Sequence, residues 1–213
     1  MELTPVSIPA TDGWTRDIDT WTYVSASSFK ISGKNVTARF PVGAKIKLTQ
    51  TTAKYFYVVS AAYSSDTTVT IIGGSDYSLA NAAIDSPCYS YASSPQGFPQ
   101  WFNYSETWTG FSTPPTGGVC QFCMDGKTVY MIVSRGQNTS NATTMTITIP
   151  VTSANFYQHS WGTGMNNGAW IEYPCRAQIA PSSTTATLSR QLTQAWTNSG
   201  KKAWEGTIIY KAL

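Results

Sequence analysis

The chain has 213 residues, a formal net charge of +3 at pH 7 and only 12% charged residues. That length can bury a sizeable core and fits one large all-β domain or two small ones, of which we favour two. The basic residues are scattered, and even the densest pairs, Lys45/Lys47 and Lys201/Lys202, form no stripe of the kind that binds nucleic acid. The composition therefore excludes nucleic acid as the expected partner.

The first residues lack the pattern of a targeting or membrane segment. Neither a basic head nor an apolar run occurs in the opening MELTPVSIPA, and no stretch approaches the roughly 18 continuous apolar residues of a membrane span. We therefore expect a soluble mature chain that begins at Met1 and does not insert into a membrane. Residues 1–19, with Pro5, Pro9 and a turn at Trp14–Asp17, are predicted to form an N-terminal arm that other subunits hold in place.

Residues 20–92 are predicted to form a small β-barrel-like domain. Short segments rich in β-branched and aromatic residues alternate with turn signals, at the spacing of about 8–12 residues that is typical of barrels and sandwiches. The predicted strands are Thr20–Val24, Phe29–Ile31, Val36–Phe40, Lys45–Thr49, Lys54–Ala62 and Thr67–Ile72. Alternation predicts that Ile46 and Leu48 point inward and Lys45 outward. Residues 76–84 are predicted to be a short helix that plugs one end of the barrel.

A stretch rich in Pro and Gly, residues 93–118, is predicted to be a linker. A second β region follows at residues 119–213. Its predicted strands are Val119–Met124, Thr128–Ser134, Thr143–Ile149, Trp170–Tyr173, Arg176–Ile179, Thr185–Leu188 and Trp204–Tyr210. A long Gly- and Asn-rich excursion at Gly162–Gly168 interrupts them. This pattern predicts a jelly-roll-like β-sandwich, which makes the whole chain all-β.

The four cysteines, Cys88, Cys120, Cys123 and Cys175, are the one compositional hint of special chemistry. Cys120 and Cys123 have the spacing of half a zinc or redox site. Their surroundings, however, predict a hairpin with its turn at Asp125-Gly126, and residues three apart on a strand point to opposite faces. Cys88 and Cys175 stand alone in the sequence. We therefore predict buried free thiols and no metal or cofactor, with a cross-strand disulfide as the alternative for an extracellular chain.

The sequence offers little for catalysis. The single histidine, His159, has no carboxylate close in sequence, and no nucleophile elbow accompanies it. Glycoside hydrolysis needs two facing carboxylates, and the closest pair, Asp17 and Asp19, is interpreted as a solvated turn or as partners of Arg16. A sugar-degrading enzyme that depends on Asp17, Asp19 or Glu172 is the third alternative for this chain. We predict a protein without enzymatic activity.

Aromatic residues make up 13% of the chain and include eight tryptophans. On an exposed β surface a tryptophan can stack on a sugar ring, whereas in a core or a subunit interface it fills space. Four tryptophans are candidate glycan-binding residues, with core or interface packing as the alternative for each: Trp101, Trp161, Trp170 and Trp196.

Four stretches between residues 14 and 105 carry a resemblance to known proteins. They are Thr20-Trp-Thr-Tyr23, FKISGKNVTARFPVGAKIKLTQTTAKYFYVVSAAYSSDTTVTIIGGSDYSLANAAI, Cys88-Tyr-Ser-Tyr91 and Pro95-Gln-Gly-Phe-Pro99. Together they strongly resemble a module common in structural proteins of tailed bacteriophages and prophages, usually labelled tail fibre or minor structural proteins. The second half is more loosely similar to jelly-roll end domains of phage appendages, through Thr146–Pro150, Ala195–Lys201 and Gly206–Tyr210. The resemblance implies a virion component, and related jelly rolls of the tumour-necrosis-factor-like type imply a homotrimer.

These expectations combine into a non-enzymatic bacteriophage virion structural protein, assembled in the cytoplasm of the bacterial host. The N-terminal half would dock onto other virion proteins of the capsid or tail, while the jelly-roll half projects outward. Capsid decoration or head fibre, and tail-attached appendage, are both open locations. The alternative function is a host-recognition protein of the phage tail whose main role is to bind carbohydrate on host-surface glycans.

Overall fold

A computed structural model of the chain describes residues 12–190 and 194–213. The predicted arm therefore lies outside the described residues as far as residue 11. The described chain is all-β, as predicted, and its helical content is one turn of 3-10 helix at Thr37–Arg39. No helix within the described ranges has the length and hydropathy that crossing a bilayer requires.

The chain divides into two compact units. The first consists of the residues up to Gly73 together with Tyr77–Gln100, and the second of Gly74–Asp76 together with Trp101–Leu213. The strands of the first unit are β1 (Thr15–Arg16), β2 (Thr22–Ser25), β3 (Ser28–Ile31), β4 (Lys45–Gln50), β5 (Thr52–Tyr63), β6 (Thr67–Ile72) and β7 (Asp85–Ser90). They form one curled antiparallel sheet in the order β1-β7-β4-β5-β6-β3-β2.

Alternation buries one face of this sheet. On β4, Ile46 and Leu48 are fully buried, as predicted from their spacing. The aromatic part of the core is built around Trp21, whose ring stacks on Phe29 with centroids 4.2 Å apart and meets the edge of Phe40 at 5.6 Å. Each fully buried side chain of this size stabilises the fold by about 1.5–3 kcal/mol. The side chains between these core residues point to the opposite face of the sheet.

The edge strands β1 and β2 are joined by residues 17–21 alone. A connection of that length spans at most about 22 Å, so the sheet must curl until its edges approach each other. Arg39 holds the connection, because its Nη1 donates to Asp17 Oδ1 at 2.7 Å and to Asp19 Oδ2 at 2.8 Å. Trp21 Nε1 also donates to Asp17 Oδ2, at 3.0 Å. We call Asp17, Asp19, Trp21 and Arg39 the first clasp.

One local prediction for the first unit is wrong, and a second needs an addition. The predicted strand Val36–Phe40 is replaced by the 3-10 turn, which directs Arg39 toward the two carboxylates of the first clasp. Lys45 lies on the face of β4 opposite Ile46, as predicted, but it is buried there, with its Nζ 5.7 Å from the ring centroid of Tyr57. Burial of the ammonium under an aromatic ring is a contact that alternation alone does not specify.

The predicted helix at residues 76–84 is also absent. This segment lies as irregular backbone, and Leu79 and Ile84 pack into the core of the first unit. Gln50 takes the place of helical hydrogen bonds, since its Nε2 donates to Ala80 O at 2.9 Å and its Oε1 accepts from Ala80 N at 2.9 Å. A side chain on β4 therefore satisfies the backbone that a helix would have satisfied internally.

The second unit is also one curled antiparallel sheet. Its strands are β8 (Phe102–Asn103), β9 (Trp108–Thr109), β10 (Val119–Asp125), β11 (Thr128–Ser134), β12 (Asn138–Thr139), β13 (Thr146–Thr148), β14 (Gln158–Asn166), β15 (Ala169–Trp170), β16 (Cys175–Ile179), β17 (Thr185–Ser189) and β18 (Lys201–Lys211). The main path runs β8-β10-β11-β18-β14-β16-β17-β13-β9, with β12 paired to β18 and β15 to β14.

The second unit closes by the same device as the first. Its edge strands β8 and β9 are joined by residues 104–107 alone, a connection that spans at most about 18 Å. Arg135 donates two hydrogen bonds to Glu106, from Nε to Oε1 at 2.6 Å and from Nη2 to Oε2 at 2.9 Å. Trp108 Nε1 donates to Glu106 Oε1 at 3.0 Å. We call Glu106, Trp108 and Arg135 the second clasp.

The core of the second unit contains buried polar groups that form hydrogen bonds to backbone carbonyls. Trp204 and Ile208 on β18 are buried there. Tyr210 is buried beside them, and its hydroxyl donates to Val151 O at 2.9 Å. Lys202 is fully buried, and its Nζ donates to the carbonyls of Ala142 and Thr144 at 2.8 and 3.1 Å. Hydrogen bonding lowers the cost of burying these polar groups.

The hairpin predicted around Asp125-Gly126 is confirmed, but its two-residue turn lies one position later than predicted. Asp125 pairs with Thr128, so Gly126 and Lys127 form the two-residue turn, and Gly126 has a φ of 53°. A glycine at the first turn position suits the type II′ geometry. Cys120 is buried and Cys123 lies on the opposite face of β10, as their spacing predicted.

Two parts of the second unit differ from the prediction. Residues 102–103 and 108–109, within the stretch predicted as a linker, are strands β8 and β9 of the second unit. The predicted excursion at Gly162–Gly168 is mostly the second half of β14. Glycines at positions 162 and 164 weaken the sequence pattern that predicts a strand. Backbone pairing with β16 on one side and β18 on the other nevertheless keeps β14 in the sheet.

Candidate ligand-binding site on the second unit

A pocket of about 420 Å³ lies in the second unit beside the end of β14. Two aromatic side chains and several groups that donate or accept hydrogen bonds line it: Asn166, Trp170, Glu172, Tyr173, Arg190 and Gln194. A concave surface that combines an apolar platform with a few polar groups is the usual form of a small-molecule site. This pocket is therefore a candidate ligand-binding site of the second unit.

A tight hairpin positions the aromatic wall of the pocket. Asn167 and Gly168 join β14 to β15 with φ angles of 51° and 80°. Both angles are positive, as a type I′ turn requires, and Asn-Gly is the favoured pair for that turn. The turn places Trp170 across from Met165 on β14, and Ile171 N donates to Gly164 O at 2.8 Å. The backbone thus fixes where the Trp170 indole emerges.

The four candidate tryptophans occupy different environments. Trp170 is 58% exposed and lines the pocket. Trp161 is 53% exposed on β14 and lies across from Arg176 on β16, outside the pocket lining. Trp196 is 2% exposed, and its Nε1 donates to Leu188 O at 2.7 Å, which makes it a core residue. Trp101 is half-buried. The structure therefore brings one of the four tryptophans to this pocket.

One arginine of the pocket lining has a donor atom without a partner. Arg190 lines the pocket and donates from Nη1 to Ala195 O at 3.2 Å. Within the described ranges, the Nε atoms of Arg190 and Arg176 and the hydroxyl of Ser189 are buried without a hydrogen-bond partner. Arg176 pairs with Ser189 across β16 and β17, and Arg190 follows Ser189 in the chain. Buried donors without partners are rare in folded proteins and call for a ligand or an ordered water.

Sequence reasoning missed most of the pocket. It did not single out Tyr173, Arg190, Asn166 or Gln194, and it named Glu172 only for an enzymatic alternative. The available signal was Asn167-Gly168, which marks a hairpin and so brings the residues on either side of it together. Arg190 and Gln194 come from a distant part of the chain, and only the pairing of β16 with β17 brings Arg190 near.

The interpretation of Asp17 and Asp19 as a solvated turn or as partners of Arg16 is wrong. Both carboxylates are buried in the first clasp, and both pair with Arg39. Asp19 also pairs with Lys34. Hydrogen bonds from Lys34 and Arg39 hold the pKa of Asp19 below its usual range, against a smaller opposing effect of burial. These carboxylates are committed to stabilising the closure of the first unit.

The remaining candidates for chemistry are dispersed. In the part of the chain that the structure describes, no group of three or more His, Cys, Asp or Glu could hold a metal ion. His159 is exposed on β14. None of the four cysteines, all of which lie in the described ranges, forms a disulfide; Cys120 and Cys175 are buried, and Cys88 and Cys123 are half-buried. Burial raises the pKa of Cys120 and of Cys175, so both are neutral thiols at pH 7.

Comparison with models of known families, with curated proteins and with solved structures gave no match.

Proposed function

We propose that this protein is a non-enzymatic structural protein of a tailed-bacteriophage virion, exposed on the particle surface. The observation that carries the proposal is the resemblance of residues 14–105 to a module of phage structural proteins. Two features of the described chain support it. Both units are curled β-sheets closed by buried ion pairs, and the acids of both clasps are used for closure.

The finer architecture belongs to the same proposal. The second unit would be a jelly-roll-like domain that projects from the particle, and the first unit a docking domain for capsid or tail proteins. Assembly as a homotrimer follows by analogy with related jelly rolls. Several large apolar side chains of the second unit are exposed in the single chain and would suit a subunit interface: Phe156, Tyr157, Ile209 and Leu213.

The location in the particle tests the proposal. Antibodies against the purified protein should decorate intact virions in electron micrographs, either on the capsid as a decoration or head fibre or on the tail as an appendage. Native mass spectrometry of the isolated protein should give three times the mass of one chain. Purified particles that lack this protein altogether would overturn the virion assignment, whereas a monomer would overturn the trimer alone.

Carbohydrate binding is the second candidate function, and the two exposed tryptophans of the second unit favour it. Trp161 and Trp170 each present more than half of their surface to solvent. Exposed rings with polar neighbours stack on sugar rings, as in a receptor-binding protein that contacts host glycans. A glycan array on the isolated protein tests this function. Specific binding that is lost in Trp161→Ala or Trp170→Ala would support it, and a protein that binds no glycan would contradict it.

A further inference from the structure

We propose that the pocket at Trp170 binds an acidic saccharide, with a sugar ring stacked on the Trp170 indole and the anionic group held by Arg190. This assignment, which rests on the carbohydrate-binding function proposed above, adds the class of sugar and selects one of the two exposed tryptophans. It does not depend on whether the protein sits on the capsid or on the tail.

The aromatic platform is the first ground. Trp170 and Tyr173 are 58% and 56% exposed, and both line the same pocket. A large apolar side chain left in water loses the stabilisation that burial would give, and two such side chains at one pocket make a platform for a ligand. The C–H face of a sugar ring covers such a platform, while its hydroxyl groups reach the polar rim.

Arginine pairing is the second ground. In the described part of the chain, Arg39 and Arg135 are each paired with a carboxylate, but Arg176 and Arg190 have no acidic group within ion-pair distance. Their Nε atoms are also buried without partners. A half-buried guanidinium with unused donors matches the planar geometry of a carboxylate, and it also binds phosphate through two bonds. An anion at Arg190 would therefore give it the kind of partner that Arg39 and Arg135 already have.

A fixed amide is the third ground. Asn166 Oδ1 accepts hydrogen bonds from Thr197 N at 2.9 Å and Thr197 Oγ1 at 3.2 Å. These bonds set the orientation of the carboxamide, and its NH₂ group, which has no acceptor among the described residues, can donate to a sugar hydroxyl. Glu172, also on the pocket rim, is exposed and can accept from a hydroxyl. Its negative charge opposes an anion, but solvent screens an exposed carboxylate.

Titration calorimetry on the full chain tests the assignment with three ligands. They are a uronic-acid oligosaccharide, the same oligosaccharide with its carboxylates reduced to alcohols, and a sugar phosphate. We expect the uronic acid or the sugar phosphate to bind at least about tenfold more tightly than the reduced form, which corresponds to about 1.4 kcal/mol. Binding should weaken as salt is added. Comparing the two acidic ligands shows which anionic group the pocket takes.

Variants separate the roles of the side chains. Trp170→Ala and Arg190→Gln should each weaken binding of the acidic ligand about tenfold or more, and Arg190→Lys should lose less than Arg190→Gln. Glu172→Gln should strengthen binding, because it removes a like charge. Tyr63→Ala and Lys127→Gln are the matched controls, an exposed aromatic residue and an exposed cation outside the pocket, and they should leave binding unchanged.

The outcomes distinguish this assignment from the functions on which it rests. If the reduced sugar binds as tightly and Arg190→Gln has no effect, the acidic class is wrong and carbohydrate binding stands. If Trp170→Ala has no effect, the stacking site is wrong. If no saccharide binds at millimolar concentrations, carbohydrate binding and the acidic class both fail. The virion assignment is tested separately by electron microscopy of particles.

Discussion

Lys202 is fully buried in the second unit, and none of its described contacts is a carboxylate. Its Nζ bonds two carbonyls and lies 5.1 Å from the ring centroid of Phe111. Burial lowers the pKa of Lys202 from 10.5 to about 8. The folded state therefore releases the lysine proton at a lower pH than the unfolded state does, and the protonated lysine carries a desolvation cost at pH 7.

Stability should rise with pH because of this one lysine. Between pH 8 and 10.5 the unfolded chain binds more protons at Lys202 than the folded chain, so wild type gains at most about 1.4 kcal/mol per pH unit relative to Lys202→Met. Urea unfolding at pH 7, 8, 9 and 10 measures the gain. Lys201→Met, at the exposed neighbouring position, is the control. Parallel pH profiles for wild type and Lys202→Met would contradict the prediction.

The tryptophans give a second prediction at the residue scale. Trp196 is buried and hydrogen-bonded through its indole, whereas Trp170 is mostly exposed. Trp196→Ala should lower the free energy of unfolding by about 3–5 kcal/mol, because it leaves a cavity and an unpaired carbonyl. Trp170→Ala should change it by no more than about 0.5 kcal/mol. Equal losses in urea unfolding would show that the two environments are not as described.

At the scale of elements, each clasp fixes the short connection between the two edge strands of its sheet. In each unit a carboxylate in the connection between the edges accepts from an indole N–H and from an arginine. Asp17 and Glu106 play this part, and both are nearly inaccessible to solvent. Buried ion pairs gain little over apolar packing, but breaking one leaves an uncompensated charge. The clasps therefore specify which edges meet.

The second clasp should make stability depend on pH in the acid range. Burial raises the pKa of Glu106, but hydrogen bonds from Arg135 and Trp108 outweigh it, so the net pKa is lowered from 4.5. Its contribution is full above about pH 4.5 and is lost as the pH falls through the folded-state pKa. Arg135→Met should cost about 3–5 kcal/mol at pH 7 and less at pH 3.

Thermal or urea unfolding at both pH values measures this difference. Arg16→Met is the matched control, because Arg16 is exposed on β1 and forms no ion pair with a described residue. Its cost should be small at both pH values. A cost for Arg135→Met that is the same at pH 3 and pH 7 would show that the Glu106 charge does not carry the effect.

At the scale of the whole molecule, the cysteines report on the integrity of both units. Cys88 lies in the first unit, and Cys120, Cys123 and Cys175 lie in the second. Burial raises the pKa of Cys88, Cys120 and Cys175. Protonated and enclosed thiols react slowly with disulfide reagents.

Thiol labelling should therefore follow unfolding. We expect Cys120 and Cys175 to stay unlabelled by a disulfide reagent at pH 7 in the native protein, and all four thiols to react at once in denaturant. Mass spectrometry of peptides identifies the labelled positions. Fast labelling of Cys120 or Cys175 without denaturant would contradict the burial of these residues in the second unit.

The class of fold could be read from local patterns. Val, Ile, Thr and aromatic residues alternate with turn signals in β4, β6, β10, β11, β16 and β17, and these strands lie close to their predicted bounds. The hairpin at Gly126 followed from its turn residues in the same way. Such features depend on neighbours in sequence, so the sequence specifies them directly.

Only the tertiary structure decided which distant residues meet. Asp17 and Arg39, Glu106 and Arg135, and Trp170 and Arg190 are brought together by sheet order and closure, which no local pattern specifies. By itself the sequence determined an all-β chain with few charges. The pairing of those charges, the burial of Trp196 and the exposure of Trp170 depend on long-range contacts, because a side chain's environment is set by whatever packs on it.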